Sequence, residues 1–194
     1  MGNIVTDRSF QVMAEQMIGE ALFPTLASPT YDTFPTSRYP STTRFQGADD
    51  FAWLAWPNGD GMIRWRCTGF TGPEAWTVQV DSVGLNCEVV VAQRGKKTEG
   101  VASPSGQQVV TNDLYKIREC IKKQLEDARL TYGPFGIGNT TTITGQGTSP
   151  LKCVYDVMFG EDSVEQQLSA GNDDNLGPNA WVGKVTFTIW ILAQ

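Results

Sequence analysis

The stretch Trp181-Val182-Gly183-Lys184-Val185-Thr186-Phe187-Thr188-Ile189-Trp190-Ile191-Leu192 decides the fold of this chain. Val185, Phe187, Ile189 and Ile191 alternate with Lys184, Thr186 and Thr188, the period of two expected of a half-buried β-strand. Trp190 and Leu192 interrupt the polar face at its far end, so that face is expected to meet apolar surface there too. A strand this apolar needs cover, from its own fold or from a neighbouring subunit.

The same alternation recurs upstream. Met62 to Cys67 turns Ile63, Trp65 and Cys67 inward and Arg64 and Arg66 outward. Val83 to Gln93 carries Leu85, Cys87, Val89 and Val91 on one face, and Leu151 to Phe159 carries Cys153, Tyr155, Val157 and Phe159. Trp76 to Val80 is a further strand candidate. Asn58-Gly59, between Phe51–Trp56 and Met62–Cys67, is a hairpin signal, because both residues tolerate the positive φ of a tight turn.

Two segments follow the helical period instead. Over residues 7–23, Phe10, Met13, Ala14, Met17, Ile18, Ala21 and Leu22 form one apolar stripe, with Asp7 or Ser9 as cap and Pro24 as stop. Further on, Thr111 or Asn112 is the expected cap of a helix lined by Leu114, Ile117, Ile121, Leu125 and Ala128. Glu119–Lys123 and Lys122–Glu126 are spaced to pair on its outer side.

Residues 24–50 form a proline-rich extended arm, since Pro24, Pro29, Pro35 and Pro40 exclude helix and central strand. Its aromatic residues need a surface, either of its own domain or of a neighbour. Residues 94–110 and 160–180 read as long loops. The expected fold is a single α+β domain over 1–194, a mixed, mostly antiparallel sheet of about five or six strands with two main helices on one face.

Composition narrows the function. Fifteen basic residues stand against 21 acidic ones, a net charge of −6, which disfavours a free-standing nucleic-acid binder. The chain has no histidine, so it lacks the usual general base and the commonest metal ligand. Cys67, Cys87, Cys120 and Cys153 have no C-x-x-C spacing, which argues against zinc, and their apolar surroundings favour buried thiols over disulfides. No secretory leader pattern or apolar run of membrane-spanning length occurs. Met1-Gly2-Asn3-Ile4-Val5-Thr6 fits the minimal myristoylation pattern without a second polybasic signal and is read as a chance match.

No motif for catalysis stands out. Asp49-Asp50 and Asp173-Asp174 lie in polar, turn-like sequence, where solvated charge is the simpler account. The glycines of Gly133 to Gly147 follow a helix instead of opening one, unlike a phosphate loop, and Asn172-Asp173-Asp174-Asn175 lacks the calcium-loop register. No catalytic residue, metal site or cofactor is assigned.

The order of elements carries a resemblance. Phe10 to Leu22, Tyr31-Asp32-Thr33-Phe34-Pro35, Cys87 to Ala92, Asp113 to Ala128 and Lys184 to Leu192 follow one another as helix, aromatic passage, strand, capped helix and terminal strand. In that order the chain resembles the tail-terminator (tail-completion, neck-ring) proteins of tailed bacteriophages. The resemblance implies a non-enzymatic virion protein, assembled in the host cytoplasm into a homo-oligomeric ring, hexameric in that family. Such a ring caps the tail tube and joins it to the neck. Its partners would be copies of itself, tail-tube and connector proteins, and DNA passing through the lumen without sequence specificity, with no membrane involved. The competing reading is a carbohydrate- or receptor-binding virion module that uses exposed aromatics.

Candidate interaction residues follow from charge and from aromatic content. Arg64 and Arg66 form one compact basic set and Arg94, Lys96 and Lys97 the other, while Tyr31, Phe34, Tyr39, Trp190 and Leu192 supply apolar contact. Changing Arg94, Lys96 and Lys97 together to Glu is expected to slow or block joining to an adjacent acidic ring while the fold stays intact. A tail-to-head joining assay on the triple variant at low and moderate salt checks this.

Overall fold

The computed structural model of the chain describes residues 7–23, 34, 37–48, 61–75, 81–94, 106–131, 152–167 and 180–193. Helix α1 (Asp7–Leu22) leads to a 3-10 turn (Ser41–Thr43) and the short strand β1 (Arg44–Gln46). Then come β2 (Gly61–Ala75), β3 (Asp81–Arg94), helix α2 (Gly106–Thr131), β4 (Lys152–Gln167) and β5 (Ala180–Ala193). The five strands make one sheet in the order β1-β2-β3-β5-β4. Only the β1–β2 pair is parallel, so the sheet is mixed and mostly antiparallel, and the fold is α+β.

Register assigns the faces. Cys67 opposes Cys87 and Cys87 opposes Phe187, so Ile63, Trp65, Cys67, Leu85, Cys87, Val89, Val91, Val185, Phe187, Ile189 and Ile191 share one side of the sheet. All are buried in one cluster with the α1 stripe and with Val110, Leu114, Ile117, Cys120 and Ile121 of α2. Both helices therefore cover the same face, as the alternating pattern implied. The polar positions of β2, β3 and β5 fall on the opposite face.

Two close approaches fix how the helices sit. Gly19 of α1 lies against the Trp65 ring, and Trp65 Nε1 donates to the Glu15 carbonyl at 2.9 Å, tying α1 to β2. Gly183 of β5 faces α2, where a Cβ would stand 2.4 Å from Val110 Cγ1 and 3.1 Å from Leu114.

Several expectations shift. Helix α2 starts at Gly106, ahead of the expected caps; Thr111 sits inside it, its hydroxyl donating to the Gln107 carbonyl at 2.9 Å. Helical sequence thus replaces the end of the expected loop 94–110. β2 runs on to Ala75 and β4 to Gln167, so β4 takes the first part of the expected loop 160–180. In β4, Val154, Val157 and Phe159 meet the core instead of a strict alternation, because register shifts beside Lys152, Val154 and Phe159 change which residue faces inward. The expected strand Trp76–Val80, the Asn58-Gly59 turn, the glycine-rich stretch Gly133 to Gly147 and the side chains of Cys153, Tyr155, Leu125 and Ala128 lie outside the described residues.

The arm is covered by its own domain over the described part. Phe34 stacks on Tyr39 with centroids 5.0 Å apart, Phe23 meets Phe34 edge-on and also contacts Trp65, and the Arg44 guanidinium lies over the Phe23 ring at 3.7 Å.

Gly183→Ala is expected to destabilise the fold by about 1–3 kcal/mol, because the new methyl would overlap Val110 and crowd Leu114, so α2 or its side chains must shift. Adding Val110→Ala should recover part of that loss in urea unfolding, a coupling that distant sites would not show.

Candidate functional site

The face of the sheet opposite the helices carries a cluster of charged side chains. Because Ile63, Trp65 and Cys67 go inward, Arg64 and Arg66 must point outward, and the register sets Arg66 opposite Glu88. Glu88 in turn opposes Thr186, with Lys184 one pair along β5 on the same face. Glu88 Oε1 accepts from Arg66 Nε at 2.7 Å and from Arg64 Nη2 at 3.2 Å, and Oε2 accepts from Lys184 Nζ at 2.8 Å. Among the described residues three cations thus converge on this one carboxylate.

Glu88 is 4% exposed, so its charge depends on these partners. Burial pushes its carboxyl up, but hydrogen bonds from Lys184 and Arg66, with their positive charge, outweigh burial and hold it below the ordinary glutamate value of 4.5. The carboxylate is thereby fixed as an anion and organises the cations around it.

Next to this cluster lies an open groove of about 550 Å³, lined about equally by polar side chains, Thr68, Asn86, Thr186 and Thr188 among them, and by apolar ones such as Met158 and Phe159. Thr188 Oγ1 donates to Asn86 Oδ1 at 3.1 Å, and Asn86 Nδ2 donates to Thr71 Oγ1 at 3.2 Å, a chain of side chains running across three strands. Beyond it, Trp190 is half-buried over Gly84, where a Cβ would come within 3.1 Å of the ring. At the other end Met62, Val90 and Ala92 are buried with Phe45 and Val182 packed against them. This side of the sheet thus has a charged cluster at its centre, a groove beside it, and a buried apolar patch at the end near Met62.

The residues singled out from sequence fall in different places. Arg64, Arg66 and Trp190 share this face. Phe34 and Tyr39 are corrected: at 1% and 0% exposure they are core, held against Phe23, Trp65 and α2, and no longer count as contact residues. Leu192 and Arg94 are placed only by backbone, Leu192 opposite Ser82 and Arg94 opposite Ala180. Tyr31, Lys96 and Lys97 lie outside the described residues. Sequence reading missed Glu88, Lys184 and Met158 as members of the site. The missed signal was Glu88 itself, an acid set in the run Cys87-Glu88-Val89-Val90-Val91, where a strand buried on both faces demands a partner for it.

A second buried cluster lies on the helix side. Asp113 of α2, 0% exposed, accepts from Tyr39 Oη at 2.8 Å and from Arg38 Nη2, while Gln93 Nε2 donates to Tyr39 Oη at 2.7 Å. Burial raises the Asp113 carboxyl, with those hydrogen bonds and the Arg38 charge pulling it back down. The cluster ties the arm to α2 and β3 and adjoins no described groove.

Among the described residues no three His, Cys, Asp or Glu side chains converge as a metal site, and no helix is long and apolar enough to cross a membrane. The exposed large apolar side chains among them, Phe70, Tyr115 and Met158, sit on different elements and make no aromatic platform for a sugar. No known family model matches the chain, and no curated protein matches it either.

Glu88→Gln is expected to cost about 1–3 kcal/mol at neutral pH, since it leaves three cations facing a neutral group. A carboxyl depressed in the fold contributes stability that is full above its unfolded value and is lost as pH falls through the folded one. The gap between wild type and Glu88→Gln should therefore hold at neutral pH and narrow below the ordinary glutamate value of 4.5. Urea unfolding across that range measures it.

Proposed function

We propose that this chain is a structural subunit of a tailed-phage virion, one that associates with copies of itself into a closed, hexameric ring at the head–tail junction. There it caps the tail tube and presents a new surface to the neck. The observation that carries this reading is the asymmetry of the sheet. Both helices pack on one face, and the other bears the charged cluster around Glu88 and the groove beside it. The α+β build with helices on one side of a mixed sheet also fits the resemblance read from the order of elements.

The mechanism is geometric. A ring subunit joins its neighbour through unlike surfaces, and closure of the ring, not chemistry, ends polymerisation of the tube. The charged side chains gathered around Glu88 would set orientation and encounter rate between copies. Interfaces of obligate assemblies bury roughly 2,000 Å² or more, so the groove would be one part of a larger contact. DNA in the lumen would be met without sequence readout, and tail-tube and connector proteins are the expected neighbours.

Native mass spectrometry and electron microscopy of the purified chain at micromolar concentration are expected to show a closed ring; a strict monomer, free or within assembled particles, removes this reading. Met158, 57% exposed at the groove, supplies the finer test. Met158→Asp is expected to weaken association by about tenfold or more while changing subunit stability by less than about 0.5 kcal/mol.

A further inference from the structure

Two of the cysteines stand directly opposite each other. In the β2–β3 register Cys67 pairs with Cys87, both on the helix side of the sheet and both in the main core cluster. Directly opposed residues of an antiparallel pair have Cα atoms about 4.5–5.5 Å apart, inside the range of about 4.4–6.8 Å that a disulfide spans. Cys67 Sγ donates to the Gly69 carbonyl at 3.2 Å and Cys87 Sγ to the Leu85 carbonyl at 3.4 Å, so both are thiols here. A register shift follows at once between Cys67 and Gly69, a break that lets β2 adjust its twist beside the pair. The core cover thins at this point: Phe70, the next inward-register position of β2, is 39% exposed.

We propose that Cys67 and Cys87 are a redox pair that closes to a cross-strand disulfide when a peroxide reaches the core at the end of the helix layer. The two sulfurs differ in role. The adjoining Cys87 thiol holds the Cys67 thiol below its ordinary value, against burial and the nearby Glu15 charge. Cys87 is pushed well above its own by the same partner and by burial. Cys67, the more exposed of the two at 7% against 3% and the one beside the register shift, is met first and is the nucleophile, with Cys87 the resolving thiol.

The Cys67 thiolate attacks one peroxide oxygen; an S–O bond forms, the O–O bond breaks, and hydroxide leaves, giving a sulfenic acid. Cys87 sulfur then attacks Cys67 sulfur; the S–S bond forms and the S–O bond breaks. The departing hydroxide takes the Cys87 proton and leaves as water. In sum two thiols and one hydrogen peroxide give one disulfide and two waters.

The neighbouring register pair is Arg66 opposite Glu88, so the cross-link closes directly under the cationic cluster and fixes the strands that carry it. This pairing depends on the β2–β3 register alone and stands or falls apart from the ring assembly.

The test uses the full reduced chain treated with rising doses of hydrogen peroxide, then alkylated in denaturant, digested and read by mass spectrometry. Exposed Met158 serves as the internal dose marker through its conversion to sulfoxide. The expected result is a Cys67–Cys87 linked peptide about 2 Da lighter than the sum of its parts, formed at or before the dose that oxidises Met158. In Cys87→Ser, Cys67 should instead be captured as a sulfenic acid by dimedone. Complete Met158 oxidation with both cysteines still open to alkylation overturns the proposal, as does linkage of Cys67 to Cys120 or Cys153.

Discussion

Everything in this fold is arranged around β3, which is hydrogen-bonded along its length to β2 on one side and β5 on the other. Its described side chains are also buried on both faces, Asn86 excepted, so nearly every one has to be reconciled with a dry environment. On the helix side the solution is apolar: Val83, Leu85, Cys87, Val89 and Val91 meet both helices. On the far side the sequence places an acid, Glu88, at the centre of the sheet. An ionised carboxylate there is tolerable only with charge-assisted hydrogen bonds, and β2 and β5 supply them through Arg66, Arg64 and Lys184. The cationic surface is therefore a consequence of how the central strand satisfies one buried charge, and it links the three central strands chemically as well as through the backbone.

The helix side holds together by a related device. Asp113 is buried on α2 and would carry an uncompensated charge if the arm were absent. Arg38 and Tyr39 of the arm satisfy it, and Gln93 at the end of β3 completes the contact from the sheet. The described part of the proline-rich segment is in this way tied to α2 and to the sheet. Stacking of Phe34 on Tyr39 and of Arg44 over Phe23 then seals the arm across α1. That anchoring also explains how the arm reaches β2 and adds β1 to it as the one parallel pair.

What was legible in the sequence follows from this division. Period two in Ile63–Cys67, Leu85–Val91 and Val185–Ile191 reports a single covered face, and those assignments stand in the structure. The stripe Phe10–Leu22 stands for the same reason. Legibility ended where tertiary contact overrides local pattern. β4 could not be phased because its register shifts change the inward position without marking the sequence. The start of α2 was missed because Gly106 reads locally as a breaker, although the packing of Val110 against Gly183 needs helix there. Aromatics in the arm look the same in sequence whether they serve the core or a partner; only the Asp113 contact decides. Of the candidate site, the outward arginines could be read from alternation, whereas Glu88 needed the register that sets Arg66 against it.

The edge of the sheet bears on where a partner can dock. Among the described residues β4 lies at the sheet margin, and it does not present a flat template. Its ladder is broken between Phe159 and Asp162, and Arg118 of α2 occupies that break, donating to the Gly160 carbonyl at 2.7 Å and to Asp162 at 2.8 Å. Exposed Asp156, Glu161, Asp162 and Glu165 add negative charge along the same strand. Bulges and charges of this kind blunt an edge against strand addition. Growth by edge-to-edge pairing would also run on without limit, whereas an assembly that must stop at a fixed number of subunits needs a contact whose angle is set by shaped surfaces. With one face given to the helices and the described margin blunted, the ring proposed above would draw its contact from the face around Glu88.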